Sequence, residues 1–230
     1  MSSIEPTPAA TKYGELAPHY DRRWSSYVEA TVRETLRRVE FHGGERVVDV
    51  GCGTGVLLQA LSAFVPEDHL SGVDPTPAML EVARKRLGAA VELCVGSAER
   101  LPLGDQAFDV VVSTNAFHYF TRPLAALSEM ARVLKPFGRL VITDWCDDFL
   151  ACRVCDVYLR FFNRTHQRSY GEKDCRGLLE RSGFAVRRID RYKITWLWGL
   201  MTAVAERRPA QPSFRGPGRG ESGEGSKGFG

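Results

Sequence analysis

Apolar residues along the chain change their period several times, and the changes mark alternating strands and helices. Short runs rich in β-branched residues predict five strands, at 46–50, 70–73, 91–95, 108–114 and 139–144. Between them, apolar residues recur three or four positions apart and predict three helices, at about 54–64, 77–87 and 123–134. Strand–helix repeats of this kind form a parallel sheet with helices on both faces.

Both flanks of these repeats also carry regular patterns. Helical spacing predicts three further helices, at 26–40, 147–162 and 172–181. Two last strands are predicted at about 184–195 and 198–206, and their short connection requires them to run antiparallel to each other. We therefore predict an α/β, Rossmann-like doubly wound sheet of about seven strands, mostly parallel, with one antiparallel strand near the C-terminal end.

The junction between the first strand and the next helix is the most informative stretch. Residues 46–55 read RVVDVGCGTG, so glycines occupy the alternate positions 51, 53 and 55. Glycine lets the backbone turn sharply and approach a ligand, and a following helix points unpaired N–H groups at that ligand. The dinucleotide fingerprint Gly-x-Gly-x-x-Gly would place its third glycine where this chain has Val56. The stretch indicates a nucleotide-type binding loop, with a purely structural turn as the alternative.

An acidic residue ends the second strand. Asp74 follows Gly55 by nineteen residues, a position where a carboxylate can accept hydrogen bonds from two ribose hydroxyls. This arrangement suits dinucleotides and S-adenosylmethionine equally, and the alternative is that Asp74-Pro75 only starts a turn.

Five motifs in order give the chain a family resemblance. They are VDVGCGTG at 48–55, GVD at 72–74, GSAERLP at 96–102, FDVV at 108–111 and RVLKPFGRL at 132–140. With this spacing the chain resembles the class I S-adenosylmethionine-dependent methyltransferases, most closely the small-molecule branch that includes ubiquinone and menaquinone C-methyltransferases. The resemblance is strong over 40–145 and looser over 13–40 and 170–206. It implies S-adenosyl-L-methionine as cofactor and a small-molecule acceptor.

The resemblance also implies a role for individual residues around the cofactor. The loop that holds the methionine part is matched by Asp49, Gly51, Cys52 and Gly53. Asp74 matches the acid that binds the ribose, and Pro75 matches the residue that packs near the adenine. The motif along the adenine edge is matched by Ser97, Ala98 and Glu99. The family often has Asp-Ala there, so Ser97 departs from the pattern.

Two further cofactor contacts are implied outside these motifs. Asn115, after the fourth strand, matches the position whose backbone meets the cofactor amine. Tyr20 resembles the N-terminal tyrosine that closes over the cofactor, with a core aromatic on a helix face as the alternative. We accordingly divide the chain into N-terminal cofactor-covering helices at 1–40, a methyltransferase domain at 41–206 and a disordered tail at 207–230.

Methyl transfer needs an aligned nucleophile and, for many acceptors, a general base. His118 lies just past the fourth strand, where ligands bind in open α/β folds, and is our candidate base. A histidine that only orders the loop is the alternative. Phe117, Tyr119 and Trp145 are candidate pocket walls, and the apolar helix at 147–162 is a candidate cover over the acceptor. Such a cover would favour an apolar, quinone-, lipid- or secondary-metabolite-like acceptor.

Charge argues against a nucleic-acid partner. The formal charge is +3, but 207–230 holds five of the 31 Lys and Arg and two of the 28 Asp and Glu, so 1–206 is formally neutral. A broad phosphate-binding face would need clustered cations. Where amino-group base methylases carry Asn-Pro-Pro-Tyr, this chain has NAFH at 115–118. A nucleic-acid methyltransferase therefore ranks below a cofactor-binding partner or sensor without catalysis, itself the alternative to the small-molecule enzyme.

The remaining sequence features concern the cysteines, metal binding, membrane insertion and oligomeric state. The six cysteines are interpreted as free thiols of a cytoplasmic protein. No metal site is expected, because Cys152 and Cys155 form the single closely spaced pair and a structural zinc site usually has two. The longest uncharged apolar run, 194–205, is twelve residues, too short for a transmembrane helix. A monomer and a homodimer are both compatible with the sequence.

Overall fold

The structure is a computed structural model and describes residues 24–162, 167–195 and 198–209. Its strands are β1 (Val47–Val50), β2 (Leu70–Asp74), β3 (Glu92–Val95), β4 (Phe108–Thr114), β5 (Leu134–Trp145), β6 (Phe184–Lys193) and β7 (Gly199–Arg207). The described helices are α1 (24–38), α2 (Val56–Leu61), α3 (Pro77–Arg86), α4 (Pro123–Val133), α5 (Leu150–Phe162) and α6 (Glu172–Arg181).

All seven strands form one sheet, in the order β3-β2-β1-β4-β5-β7-β6. Strands β1 to β5 pair in parallel, and β7 runs antiparallel to both of its neighbours, β5 and β6. The predicted α/β fold is therefore confirmed, with β7 as the antiparallel strand. Because the chain leaves β1 toward β2 on one side and later returns to β4 on the other, a crevice opens at the carboxyl ends of β1 and β4, where such sheets bind ligands.

The sheet is covered on both faces. Val110 and Val112 of β4 pack into one buried cluster with residues of α1, α2 and α3, whereas Phe108 and Val111 pack into another with residues of α4 and α6. Burial on both sides explains why β4 is an almost continuous apolar run rather than an alternating one. The carboxyl end of this central strand is consequently held rigidly by the core.

Strand β5 differs from its prediction. Helix α4 ends at Val133, and Leu134 already pairs with Phe108 of β4. The register then shifts, and regular pairing resumes between Val110 and Arg139. Residues 135–138 form an irregularity inside the strand, so Pro136 and Gly138 interrupt the ladder rather than only ending a helix.

Helix α5 begins at Leu150, three residues later than predicted, and is strongly amphipathic. Cys152 faces inward, where its Sγ lies 3.2 Å from the backbone nitrogen of Gly199. The opposite face exposes four apolar side chains, Leu150, Val154, Val157 and Tyr158. Among the described helices, none is long and apolar enough to span a bilayer.

Candidate cofactor and acceptor site

Three glycines with left-handed backbone shape the loop after β1, and the last of them, Gly55, has φ of 80°. Gly51 has φ of 81° and Gly53 has φ of 53°, conformations that side chains disfavour. A Cβ on Gly51 would lie 2.5 Å from the Cβ of Ala116, so the fold itself requires glycine there. A Cβ on Gly53 would meet no atom of the described residues within 4 Å. Gly53 therefore leaves an open surface that a ligand can approach.

Two side chains hold this loop in place. The Oδ2 atom of Asp74 accepts the N–H of Gly53 at 2.9 Å, while its Oδ1 atom accepts the N–H of Thr76 at 2.8 Å. From α3, Arg86 Nη1 donates to the carbonyl oxygen of Thr54 at 2.6 Å and to its hydroxyl at 3.0 Å. The carboxylate predicted to bind ribose thus also fixes the loop, and Arg86 is a support that the sequence did not reveal.

Two buried carboxyl groups, those of Asp49 and Asp74, lie beside the glycine loop. Burial, with a smaller effect of Asp74, raises the pKa of Asp49 to about 8. Burial also raises the pKa of Asp74, although the N–H groups of Thr76 and Gly53 oppose that shift. Asp49 Oδ1 is buried and has no hydrogen-bond partner among the described residues. A buried carboxyl oxygen of this kind is suited to a cationic ligand group.

This arrangement fits S-adenosyl-L-methionine, whose methionine part carries a cationic amine and a sulfonium. Asp49 would face the cation, Gly53 would allow close approach, and Asp74 retains lone pairs for the ribose hydroxyls. The neighbouring Cys52 points away from the open surface, because its side chain is buried in the core with Leu58 and Leu70.

The segment after β3 lies beside Asp74, since Gly96 donates its N–H to the carbonyl oxygen of Asp74 at 3.1 Å. Pro75 and Ser97 are half-buried, and Ala98 is buried. The carboxylate of Glu99 is engaged elsewhere: its Oε1 accepts the N–H and hydroxyl of Thr121, at 3.0 and 3.1 Å. Glu99 therefore fixes the loop before α4, and the roles of these four residues toward adenine stay predictions.

Asn115 follows β4 with φ of 53°. Its N–H donates to the carbonyl oxygen of Thr143 at 2.9 Å, which anchors this turn to β5. Its Oδ1 atom accepts the hydroxyl of Tyr27 at 2.7 Å. The Asn115 backbone is thus held at the carboxyl end of β4, where its cofactor contact was predicted.

His118 is buried and paired with Asp144, which lies near the end of β5. The Nδ1 atom of His118 lies 2.7 Å from Asp144 Oδ1, and the backbone N–H of His118 donates to Asp144 Oδ2 at 2.9 Å. A carboxylate partner favours the tautomer with the proton on Nδ1, which makes Nε2 the acceptor of the ring. This Nε2 atom is buried, and the role of His118 as a base stays a prediction.

Aromatic side chains surround this histidine. His118 stacks on Trp145 with ring centroids 5.2 Å apart, and Trp145 lies 4.7 Å from Trp198. Tyr119 lies 3.9 Å from His118, and Tyr27 lies 5.8 Å from Trp198. We call Tyr27, His118, Tyr119, Trp145 and Trp198 the aromatic cluster. Phe117 does not join it, because its side chain is buried in the core with Phe120 and Tyr170.

Sequence reasoning missed several of these residues. Tyr27 lies in the helix predicted at 26–40, and Trp198 begins the strand predicted at about 198–206, but neither pattern indicated a place in the site. Asp144 ends the predicted fifth strand, so the rule that ligands bind at carboxyl ends of parallel strands could have identified it. Tyr20 lies outside the described residues. Among the described residues no group of three or more His, Cys, Asp or Glu is placed to hold a metal ion.

Fold and site together define a class I S-adenosylmethionine-dependent methyltransferase. A family model described as a methyltransferase domain matches residues 48–142. A demethylmenaquinone methyltransferase from Listeria welshimeri is 30% identical over 176 residues, which are 70% of this chain and 74% of that protein. The chain belongs to the S-adenosylmethionine-dependent methyltransferases, and its cofactor is S-adenosyl-L-methionine.

Other relatives share less of their length with this chain. A demethylmenaquinone methyltransferase from Deinococcus radiodurans is 34% identical, over 58% of either chain. The Bos taurus protein named "probable tRNA methyltransferase 9B" is 36% identical over 58% of this chain but only 28% of its own length. A Haloferax volcanii methyltransferase, solved in complex with the Trm112 methyltransferase activator, superposes with a TM-score of 0.76 at 21% identity, covering 90% of this chain and 100% of that one. The chain thus spans about half or less of the length of several relatives.

Proposed function

We propose that this protein transfers the methyl group of S-adenosyl-L-methionine to a flat, apolar aromatic small molecule of the hydroquinone type. The observation that carries the proposal is that two groups of residues lie at the same edge of the sheet. The open glycine loop with its two buried acids lies at the ends of β1 and β2, and the aromatic cluster with the His118–Asp144 pair lies at the ends of β4 and β5. Cofactor and acceptor would therefore meet at one edge of the sheet.

The aromatic cluster supports the acceptor class. The indole rings of Trp145 and Trp198 are half-buried and offer surfaces on which a planar ring can stack. The demethylmenaquinone methyltransferases among the relatives support the same class by analogy. None of the six cysteines forms a disulfide in the structure, which suits the reducing cytoplasm that we propose as the location of the reaction.

The proposed chemistry is simple. When bound, the cofactor supplies an electrophilic methyl group and retains the electron pair of the broken sulfur–carbon bond as S-adenosylhomocysteine. His118 accepts the proton that the acceptor loses as the new carbon–methyl bond forms, and Asp144 holds the ring through Nδ1. Trp145 excludes water from one side of His118.

Calorimetric titration with S-adenosylhomocysteine tests the cofactor half of the proposal. Wild type should bind the compound, and Asp74→Ala should weaken binding by about 1–3 kcal/mol because ribose hydroxyls and the N–H of Gly53 lose their acceptor. Asp68→Asn, a change at an exposed acid, serves as the control and should leave the affinity unchanged. A wild-type protein that binds no S-adenosylhomocysteine would refute the proposal.

The acceptor half is tested with trideuteromethyl-labelled cofactor and 1,4-naphthohydroquinone kept reduced. Mass spectrometry should find a naphthoquinone heavier by one labelled methyl group. Unmodified tRNA is assayed in parallel because of the relatives named for tRNA methylation. Label in tRNA alone would overturn the acceptor class, and cofactor binding without label in any acceptor would favour a sensor protein.

A further inference from the structure

The hydroxyl of Tyr27 connects two parts of the site that come from different strands. It donates to Asn115 Oδ1 at 2.7 Å, after β4, and accepts the indole N–H of Trp145 at 2.5 Å, at the end of β5. Along the chain, Asn115 lies 88 residues and Trp145 lies 118 residues after Tyr27. The hydroxyl of Tyr27, on α1, therefore forms a bridge between the turn at Asn115 and the indole of Trp145.

The two ends of this bridge are secured differently. Asn115 has a backbone anchor as well, because its N–H donates to the carbonyl oxygen of Thr143 at 2.9 Å. Trp145 is half-buried and stacks on His118 at an interplanar angle of 17°. Its indole N–H points at the hydroxyl of Tyr27, which sets the direction of that bond. Loss of that hydroxyl should therefore disturb Trp145 more than Asn115.

We propose that Tyr27 is a positioning residue that sets the plane of Trp145, and thereby the face that Trp145 presents to the acceptor beside His118. The proposal rests on the function proposed above and adds a residue outside the motifs of the cofactor site. It follows from the geometry of the bridge, in which the Tyr27 hydroxyl donates a hydrogen bond to Asn115 and accepts one from Trp145.

Helix α1 has other contacts that hold it on the sheet. Val32 and Val39 are buried in the core, and the hydroxyl of Thr35 donates to that of Thr143 at 2.9 Å. The ring of Tyr27 also packs on Trp24 and Trp198, at 6.3 and 5.8 Å. Tyr27→Phe keeps the ring and these contacts, so the variant should fold and, within the described part of the chain, lose the two hydrogen bonds of the bridge.

A spectroscopic measurement tests the bridge without cofactor. In protein labelled with ¹⁵N-tryptophan, the indole N–H signal of Trp145 is assigned by its loss in Trp145→Phe. We expect Tyr27→Phe to move this signal because the indole loses its acceptor. Tyr192→Phe is the matched control, since it removes a hydroxyl bonded to Thr202 at 2.8 Å, and should leave the signal in place. An unmoved signal in Tyr27→Phe would overturn the proposal.

Kinetics test the consequence for the reaction. With 1,4-naphthohydroquinone, Tyr27→Phe should lower kcat/KM by about tenfold, since a misplaced wall misaligns the acceptor, while S-adenosylhomocysteine affinity changes less than about twofold. Tyr192→Phe should retain wild-type kinetics. A moved Trp145 signal with unchanged kcat/KM in Tyr27→Phe would refute a positioning role. A loss of S-adenosylhomocysteine affinity as large as the loss of kcat/KM would also refute it. Failure of wild type to bind S-adenosylhomocysteine would instead refute the proposed function, and the indole signal would still report on the bridge.

Discussion

His118 shows how one side chain acquires a chemical role from its neighbours. Asp144 contacts the ring through Nδ1 of His118 and also accepts the backbone N–H of that residue, while Trp145 stacks on one face of the ring. Fixing the tautomer and orientation is what an orienting carboxylate contributes to a general base. The residue type was visible in the sequence, whereas its partner became evident only in the fold.

Substitution of His118 tests this role. His118→Ala should lower kcat with 1,4-naphthohydroquinone by about 10²–10⁴-fold, the usual contribution of a general base, with little change in S-adenosylhomocysteine affinity. Asp144→Asn should lower kcat by a smaller factor because the ring remains but loses its orienting carboxylate. The exposed His42 provides a matched control in His42→Ala. Unchanged kcat in His118→Ala would remove this residue from the mechanism.

At the scale of single elements, sequence patterns located strands and helices well but misplaced several ends. Strand β4 matches its predicted bounds at Phe108–Thr114 because burial on both faces demands an unbroken apolar run. Strand β5 was predicted too short, since the pairing of Leu134 with Phe108 depends on a neighbouring strand. Pairing between strands distant in sequence is not encoded in local periodicity, and register shifts such as the one before Arg139 cannot be predicted from it.

Helix α5 has one buried face and one exposed face, so substitutions on the two faces should differ in their effect on stability. Val154→Ser should change the free energy of unfolding by no more than about 0.5 kcal/mol, because Val154 is 61% exposed. Cys152→Ala should lower that free energy by about 1–2 kcal/mol, because it removes the buried Sγ from the N–H of Gly199. Urea denaturation of both variants measures the difference. A larger loss in Val154→Ser than in Cys152→Ala would contradict the orientation of α5.

For the whole molecule, the sheet order decides where charge is buried. Pairing with β2 on one side and β4 on the other places β1 in the interior of the sheet, so Asp49 is 1% exposed and close to Asp74. A carboxyl group whose pKa is about 8 in the folded protein and 3.8 in an unfolded chain binds its proton more tightly when folded. Its contribution to stability is therefore complete below pH 4 and is lost as the pH rises through about 8.

Two opposite pH dependences follow for the cofactor-free and bound protein. The free energy of unfolding without cofactor should fall between pH 5.5 and 8.5, measured by urea denaturation. S-adenosylhomocysteine affinity should rise between pH 6 and 7, by up to about tenfold, because its ammonium requires the ionised carboxylate. Asp49→Asn should reduce both dependences, whereas Asp68→Asn should preserve them. Identical profiles for wild type and Asp49→Asn would show that Asp49 does not titrate in this range.

The sequence by itself determined the order of strands and helices, the glycine loop, the acids at 49 and 74 and the family resemblance. These features are local: periodicity follows from which face of an element is buried, and the loop needs glycine where the backbone turns. The tertiary structure alone decided which distant side chains meet, among them His118 with Asp144 and Tyr27 with Trp145. Such pairs join residues from separate elements, and only the order and register of the strands bring them together at one edge of the sheet.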